Sequence, residues 1–133
     1  MKKPAFLLSL VTLFVLFMMS FENPQKPKTG AELYEQHCQS CHMKKGKGFF
    51  KMYPPLTDSN WVGNDEKIVG NIINGLKGEI TVHGKTYDNE MPPMAYLTDE
   101  EIAKIINYIR VEIAEVEATI SVGRVKEIRA EKK

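Results

Sequence analysis

Apolar residues recur along this chain in several rhythms, and each rhythm predicts a different element. Between residues 98 and 116 they fall at Ile102, Ile105, Ile106, Ile109, Ile113 and Val116, the three-and-four spacing that makes one face of an α-helix apolar. Thr98, with Glu101 three positions on, supplies a capping box at its start, so this is the strongest helix in the sequence. Ile68, Val69, Ile72 and Ile73 predict a second amphipathic helix, started by Asn64-Asp65-Glu66 and stopped by Gly75 and Gly78. A third, short helix is expected behind the Thr29/Glu32 capping box, carrying Ala31, Leu33, Tyr34 and His37 on a mixed face that runs into Cys38. The segment from Glu79 to Tyr87 alternates in its first half and turns at Gly84, which predicts a long loop or a weak hairpin, with His83 a surface histidine. The stretch from Ala118 to Lys133 is charged with scattered Val and Ile and reads as an appendage.

The N-terminus has a different pattern. Met1-Lys2-Lys3-Pro4 precedes 17 mostly apolar residues, Ala5 to Phe21, the order of a secretory signal. Seventeen residues also lie at the lower limit for a spanning helix, and Met18 and Ser20 form a poor cleavage site, so residues 1–21 read equally as a cleaved signal peptide or a retained membrane anchor. Glu22 to Lys28 holds two prolines and no periodic apolar positions, an exposed linker. The organisation expected is therefore 1–21 signal or anchor, 22–28 linker, 29–117 folded domain and 118–133 charged extension. Export would place the domain in the periplasm or on the outer face of the inner membrane.

The 133 residues suffice for one small domain with extensions and not for two well-packed ones. Lys and Arg number 18 against 17 Asp and Glu, so no nucleic-acid footprint is present. The two cysteines of the chain both lie in Cys38-Gln39-Ser40-Cys41-His42. This C-x-x-C-H run is the attachment signature of a covalent c-type haem: each thiol forms a thioether to one vinyl group, and the following imidazole reaches the iron. Two rivals need other contexts, a βαβ unit for a thioredoxin-like dithiol and a second Cys/His pair for zinc, and neither follows downstream. In Met91-Pro92-Pro93-Met94 the prolines stiffen the backbone that would present a thioether sulfur at fixed depth, so Met91 or Met94 becomes the candidate for the opposite axial position.

Between these motifs, Lys44, Lys45 and Lys47 with two glycines predict a mobile basic loop, either merely solvated or a docking patch for an acidic redox partner. Phe49, Phe50, Met52 and Tyr53 restore apolar character before Pro54-Pro55-Leu56, an extended stretch. Asp58 or Ser59 caps a short turn carrying Trp61, which is read as packing on the haem, with an indole bond to a haem propionate as a secondary possibility.

In order along the chain, Gly30-Ala31-Glu32-Leu33-Tyr34 leading into the C-x-x-C-H run, Pro54-Pro55-Leu56, Met91-Pro92-Pro93-Met94, and Leu97-Thr98-Asp99-Glu100-Glu101-Ile102 ending in Asn107-Tyr108-Ile109-Arg110 resemble the class I monohaem c-type cytochromes, over roughly residues 29–110. The resemblance implies an all-α fold, the small cytochrome c fold of three to four helices around one covalently bound haem c. It further implies thioethers from Cys38 and Cys41, His42 as proximal ligand, Pro54 offering its carbonyl to the histidine Nδ1–H, and Met91 as distal ligand with Met94 the runner-up. The function it implies is one-electron transfer at a six-coordinate iron, with oxidase, reductase or dehydrogenase partners and no catalysis by the chain itself. Alternatives are a haem-based ligand sensor with a displaceable Met, a haem-free C-x-x-C dithiol oxidoreductase, and a fixed subunit of a larger respiratory enzyme. Membrane attachment through residues 5–21 belongs to the expectation as well.

Overall fold

A computed structural model describes residues 28–131, and the signal or anchor at 1–21 and nearly all of the linker lie outside the described residues. Six α-helices and one two-stranded hairpin are present among them: α1 (Gly30–His37), α2 (Gln39–His42), α3 (Ser59–Val62), α4 (Asp65–Asn74), β1 (Ile80–Val82), β2 (Lys85–Tyr87), α5 (Asp99–Tyr108) and α6 (Val122–Glu131). The fold is all-α, as expected. No helix among the described residues is long and apolar enough to cross a membrane.

Local chemistry sets the helix starts. Both capping boxes form: Thr29 Oγ1 accepts from the Glu32 N–H while Glu32 accepts from the Thr29 N–H, and Thr98 and Glu101 do the same at α5. Asn64 accepts from the Lys67 N–H at the start of α4. The predicted apolar face of α5 is the centre of the core, with Ile102, Ile105, Ile106 and Ile109 all at most 3% exposed. Beyond Tyr108 the helix widens into a π turn, Ile109–Ile113, closed by the Ala114 N–H on the Ile109 carbonyl at 2.8 Å.

Helix α1 crosses α5 at Gly30, where a Cβ would stand on the Lys104 carbonyl and 2.9 Å from the Tyr108 Cβ. Glycine here buys the close approach at a helical position that it would otherwise weaken. One turn later Tyr34 packs on Tyr108 with ring centroids 5.4 Å apart, and its hydroxyl donates to the Met43 carbonyl at 2.8 Å.

Two expectations are corrected. The stretch after residue 117 is a packed element: Ile120, Val125 and Ile128 are at most 4% exposed, and α6 lies against both α4 and α5. Its charges are partnered over long sequence separations. Arg129 donates to Asp99 Oδ1 at 2.6 Å and the Leu97 carbonyl at 2.7 Å, Arg124 pairs with Glu66, and Asn107 exchanges two bonds with the backbone of Ile120. The basic loop is also packed beneath its lysines, because Lys44–Gly46 makes a 3-10 turn whose buried Gly46 sits against Ile113, where a Cβ would come within 2.6 Å of Cγ2. Of the two readings offered for Glu79 to Tyr87, the structure takes the hairpin, antiparallel in the register Ile80↔Tyr87, Thr81↔Thr86, Val82↔Lys85 and closed by His83 and Gly84 at φ 49° and 73°.

Ile128→Ala should cost about 2–5 kcal/mol in denaturant unfolding, the range for emptying a buried aliphatic site. An unchanged midpoint would return residues 118–133 to the status of an appendage.

Candidate functional site

The C-x-x-C-H run bridges two short helices. Cys38 follows α1 and is 7% exposed, while Cys41 and His42 fall on α2, so the turn of helix presents both sulfurs and the imidazole towards the same side of the chain. Met43, at φ 61°, ends α2 and is held by the Tyr34 hydroxyl. The chain then doubles back: the Gly48 N–H donates to the His42 carbonyl at 2.9 Å, Phe49 and Tyr53 form a two-way bridge, and Pro54 arrives beside the histidine. There the Pro54 carbonyl accepts from His42 Nδ1 at 2.9 Å. A carbonyl only accepts, so Nδ1 carries the proton and Nε2 retains its lone pair.

Burial lowers the His42 pKa, and the bond to Pro54 opposes that shift without cancelling it, so the ring is neutral. Burial pushes the Cys38 thiol up to about 12, with Cys41 adding to the shift. A thiol so raised is a poor nucleophile, the reverse of the lowered value that a dithiol oxidoreductase requires.

The Met91 segment lines the same cavities as His42. Leu76 and Met91 exchange both backbone hydrogen bonds at 2.9 Å, and Met94 is pinned by its N–H to the Ile72 carbonyl at 2.8 Å. Gly75, at φ 71°, makes this possible, since a Cβ there would collide with the Met91 carbonyl and lie 2.9 Å from the Pro93 nitrogen. The sequence marks Gly75 as a helix stop and contains no signal for this second task.

Two adjoining cavities, an inner one walled by buried and half-buried side chains and an outer one, share Cys38, His42, Pro54, Leu76, Ile80 and Met91 as walls. The inner one adds Trp61 and apolar side chains such as Ile68, Ile72 and Ile109, with Asn71 a polar side chain among them; the outer one adds Cys41 and Met94. The candidate residues are thus brought together, Met91 in both cavities and Met94 only in the outer one. Among the described residues no cluster of three or more His, Cys, Asp or Glu is placed to hold a bare metal ion. An apolar slot with two sulfurs at its edge and one neutral imidazole suits a flat macrocycle that brings its own metal and four nitrogens.

Trp61 lines the cavity, but its indole N–H donates to the Thr81 carbonyl at 3.1 Å, which takes the donor that a propionate would need. That bond ties the hairpin to α3. A second tie was not legible in the sequence: His83 is at the surface, as expected, but its N–H donates to Asp58 Oδ2 at 3.2 Å and its ring contacts Thr57 and Asp58. Arg110 is another residue whose role the sequence conceals. It is 1% exposed, donating to the Val62 carbonyl at 2.8 Å and pairing with Asp65 at 2.7 Å, and so holds the end of α3 and the start of α4 against α5.

Comparison with known proteins decides the family. The profile described as "Cytochrome C oxidase, cbb3-type, subunit III" matches residues 25–109. This chain belongs to that family of c-type cytochromes. Its cofactor is covalently bound haem c with its iron. Cytochrome c-552 of Thermus thermophilus is 36% identical over 85 residues, 60% of this chain and 64% of the relative. The fructose dehydrogenase cytochrome subunit of Gluconobacter japonicus is 34% identical over 113 residues, 79% of this chain and 23% of that protein. The cytochrome c subunit of a quinone alcohol dehydrogenase from Gluconobacter oxydans is 29% identical over 89 residues, 61% of this chain and 17% of that subunit. The match thus spans less than two thirds of the two cytochromes c-552, 64% and 57% of their lengths.

Burial pushes the Asp58 carboxyl upward, but the N–H groups of His83 and Asn60 and the His83 imidazole outweigh it and bring the pKa below the ordinary carboxylate value. A lowered folded-state pKa contributes stability above the unfolded value of about 3.9, lost as pH falls through the folded one. Wild type should therefore exceed Asp58→Asn in unfolding free energy at about pH 5–6, and the margin should shrink below about pH 4. A margin independent of pH would show that Asp58 acts by packing alone.

Proposed function

We infer that this chain is a one-electron carrier in which Cys38 and Cys41 would hold the haem and His42 and Met91 would supply its protein ligands. The observation that carries this reading is the shared cavity: a neutral imidazole locked on Pro54 and a thioether side chain whose backbone is bridged to Leu76 form walls of the same apolar slot. When bound, the haem supplies reversible exchange of one electron between ferrous and ferric iron.

The chain's residues do the rest. Pro54 sets the tautomer of His42 and orients its ring, leaving Nε2 for the iron. The Leu76 bridge and the two prolines after Met91 fix the backbone that carries the sulfur, which would keep reorganisation small and leave the bound haem no room for a substrate. Apolar walls from α4, the π turn and the hairpin would exclude water, which together with a Met ligand would favour the ferrous form. Met91 is preferred to Met94 because it borders both cavities, whereas Met94 is buried in the core beneath the outer one. Trp61 supports the inner wall and keeps the hairpin in place. The two-way bridge at Met91 also weighs against a sensor whose Met leaves readily.

Partners in this reading are redox proteins, among which dehydrogenases are suggested by the names of two relatives. The chain has no catalysis of its own and works outside the cytoplasm, delivered there by residues 1–21, whether or not they are retained as an anchor.

Matured full-length protein should titrate as a single one-electron couple and should not take up imidazole or carbon monoxide at concentrations that saturate an open haem. Met91→Ala should keep its haem, lose the sulfur-to-iron band, bind both ligands and show a lower potential. If Met94→Ala gives that phenotype and Met91→Ala does not, the distal assignment passes to Met94. Ready ligand uptake by the wild type would overturn the electron-carrier reading in favour of a sensor.

A further inference from the structure

The turn between His42 and Pro54 carries an exposed apolar tip within a basic collar. Phe50 is 83% exposed, Met52 47% and Phe49 41%, and the two phenyl rings stack edge to face with centroids 4.7 Å apart. These residues restore apolar character to the sequence after the lysines, and the structure turns them outward. Phe50 also sits at φ 46°, a left-handed conformation that is costly for a bulky side chain and that burial does not repay here. Lys44, Lys45, Lys47 and Lys51 surround the tip, all exposed, and none forms an ion pair among the described residues. No acidic residue occurs from Met43 to Thr57, in a chain of net charge +1, so this turn is uniformly basic while the remainder of the chain is net negative.

The turn is rigidly joined to the haem site. Phe49 is bridged to Tyr53, which lines the outer cavity, and the next residue, Pro54, accepts from His42. Whatever seats on the phenylalanines therefore lies against the wall of the electron-carrying slot.

Resting on the electron-carrier reading, we propose that Phe49, Phe50 and Met52 form the apolar centre, and the four lysines the rim, of the docking surface for a redox protein that presents carboxylates around an apolar patch. The charges steer and orient the encounter, and the small exposed centre supplies a short-lived contact suited to rapid turnover. A lipid surface would share the charge complementarity, but it has no need of a patch built onto the wall of the haem cavity.

The test uses the matured full chain on a gold electrode coated with mixed carboxylate- and methyl-terminated alkanethiols, a defined acidic and apolar surface. Phe50→Asn, which tolerates positive φ, should slow interfacial electron transfer about tenfold while leaving the potential in solution unchanged. Lys47→Glu with Lys51→Glu should flatten the dependence on ionic strength, whereas Lys126→Glu on α6 should not. Equal rates for wild type and Phe50→Asn, or an equal effect of Lys126→Glu, would overturn the docking surface. So would a Phe50→Asn variant that loses binding to phosphatidylglycerol vesicles with its electrode response intact, an outcome that assigns the turn to lipid. Absence of any reversible haem couple in solution would instead sink the electron-carrier reading itself.

Discussion

The hydrogen bond from His42 Nδ1 to the Pro54 carbonyl, 2.9 Å long, is the constraint on which the rest of the site depends. A histidine next to a cysteine pair is chemically ambiguous until its tautomer is fixed. Once Nδ1 is committed to a backbone acceptor, Nε2 is the free lone pair and its direction follows from the ring. The acceptor has to come from a residue that cannot drift, and proline, with its fixed φ and no N–H to compete, is well suited. The whole passage from Met43 to Leu56 exists to bring that carbonyl back: it is tied to His42 by the Gly48 N–H, to itself by the Phe49–Tyr53 bridge, and to the core by Gly46 against Ile113.

The wall that carries Met91 is held by similar means at a larger distance in sequence. Gly75 lets the Met91 carbonyl approach the end of α4, and the Leu76–Met91 bridge then fixes both backbone groups of the methionine. Helices α4 and α5 are in turn kept together by Arg110 on Val62 and Asp65, and by α6, whose arginines reach Asp65, Glu66 and Asp99. The C-terminal helix is therefore part of the site's support even though it contributes no lining residue. A buried arginine with two partners is also a specifying feature, because either partner lost would leave a charge uncompensated in the core.

What the sequence made legible was mostly local. Thr29 with Glu32 and Thr98 with Glu101 encode their caps within four residues, and the isoleucines of α5 encode their face by spacing alone. The Cys38–His42 run carries its chemistry in five residues, and Pro54 became visible only through the resemblance. Features that depend on distant partners were hidden. Val125 and Ile128 are sparse anchors in a charged segment, and their burial follows from Asp99 and Asn107, residues far earlier in the chain. The hairpin was left open against a loop because His83, rather than an asparagine, occupies its positive-φ turn position, held there by Asp58.

The central claim is that His42 and Met91 clasp one covalently attached haem. The most direct test is the visible spectrum of the exported protein, oxidised and then reduced, followed by acid-acetone extraction. The account predicts sharp reduced α and β bands, a weak sulfur-to-iron band in the oxidised form, and colour that stays with the polypeptide. A colourless protein from a host able to mature such cytochromes, or haem that passes into the solvent, would contradict it.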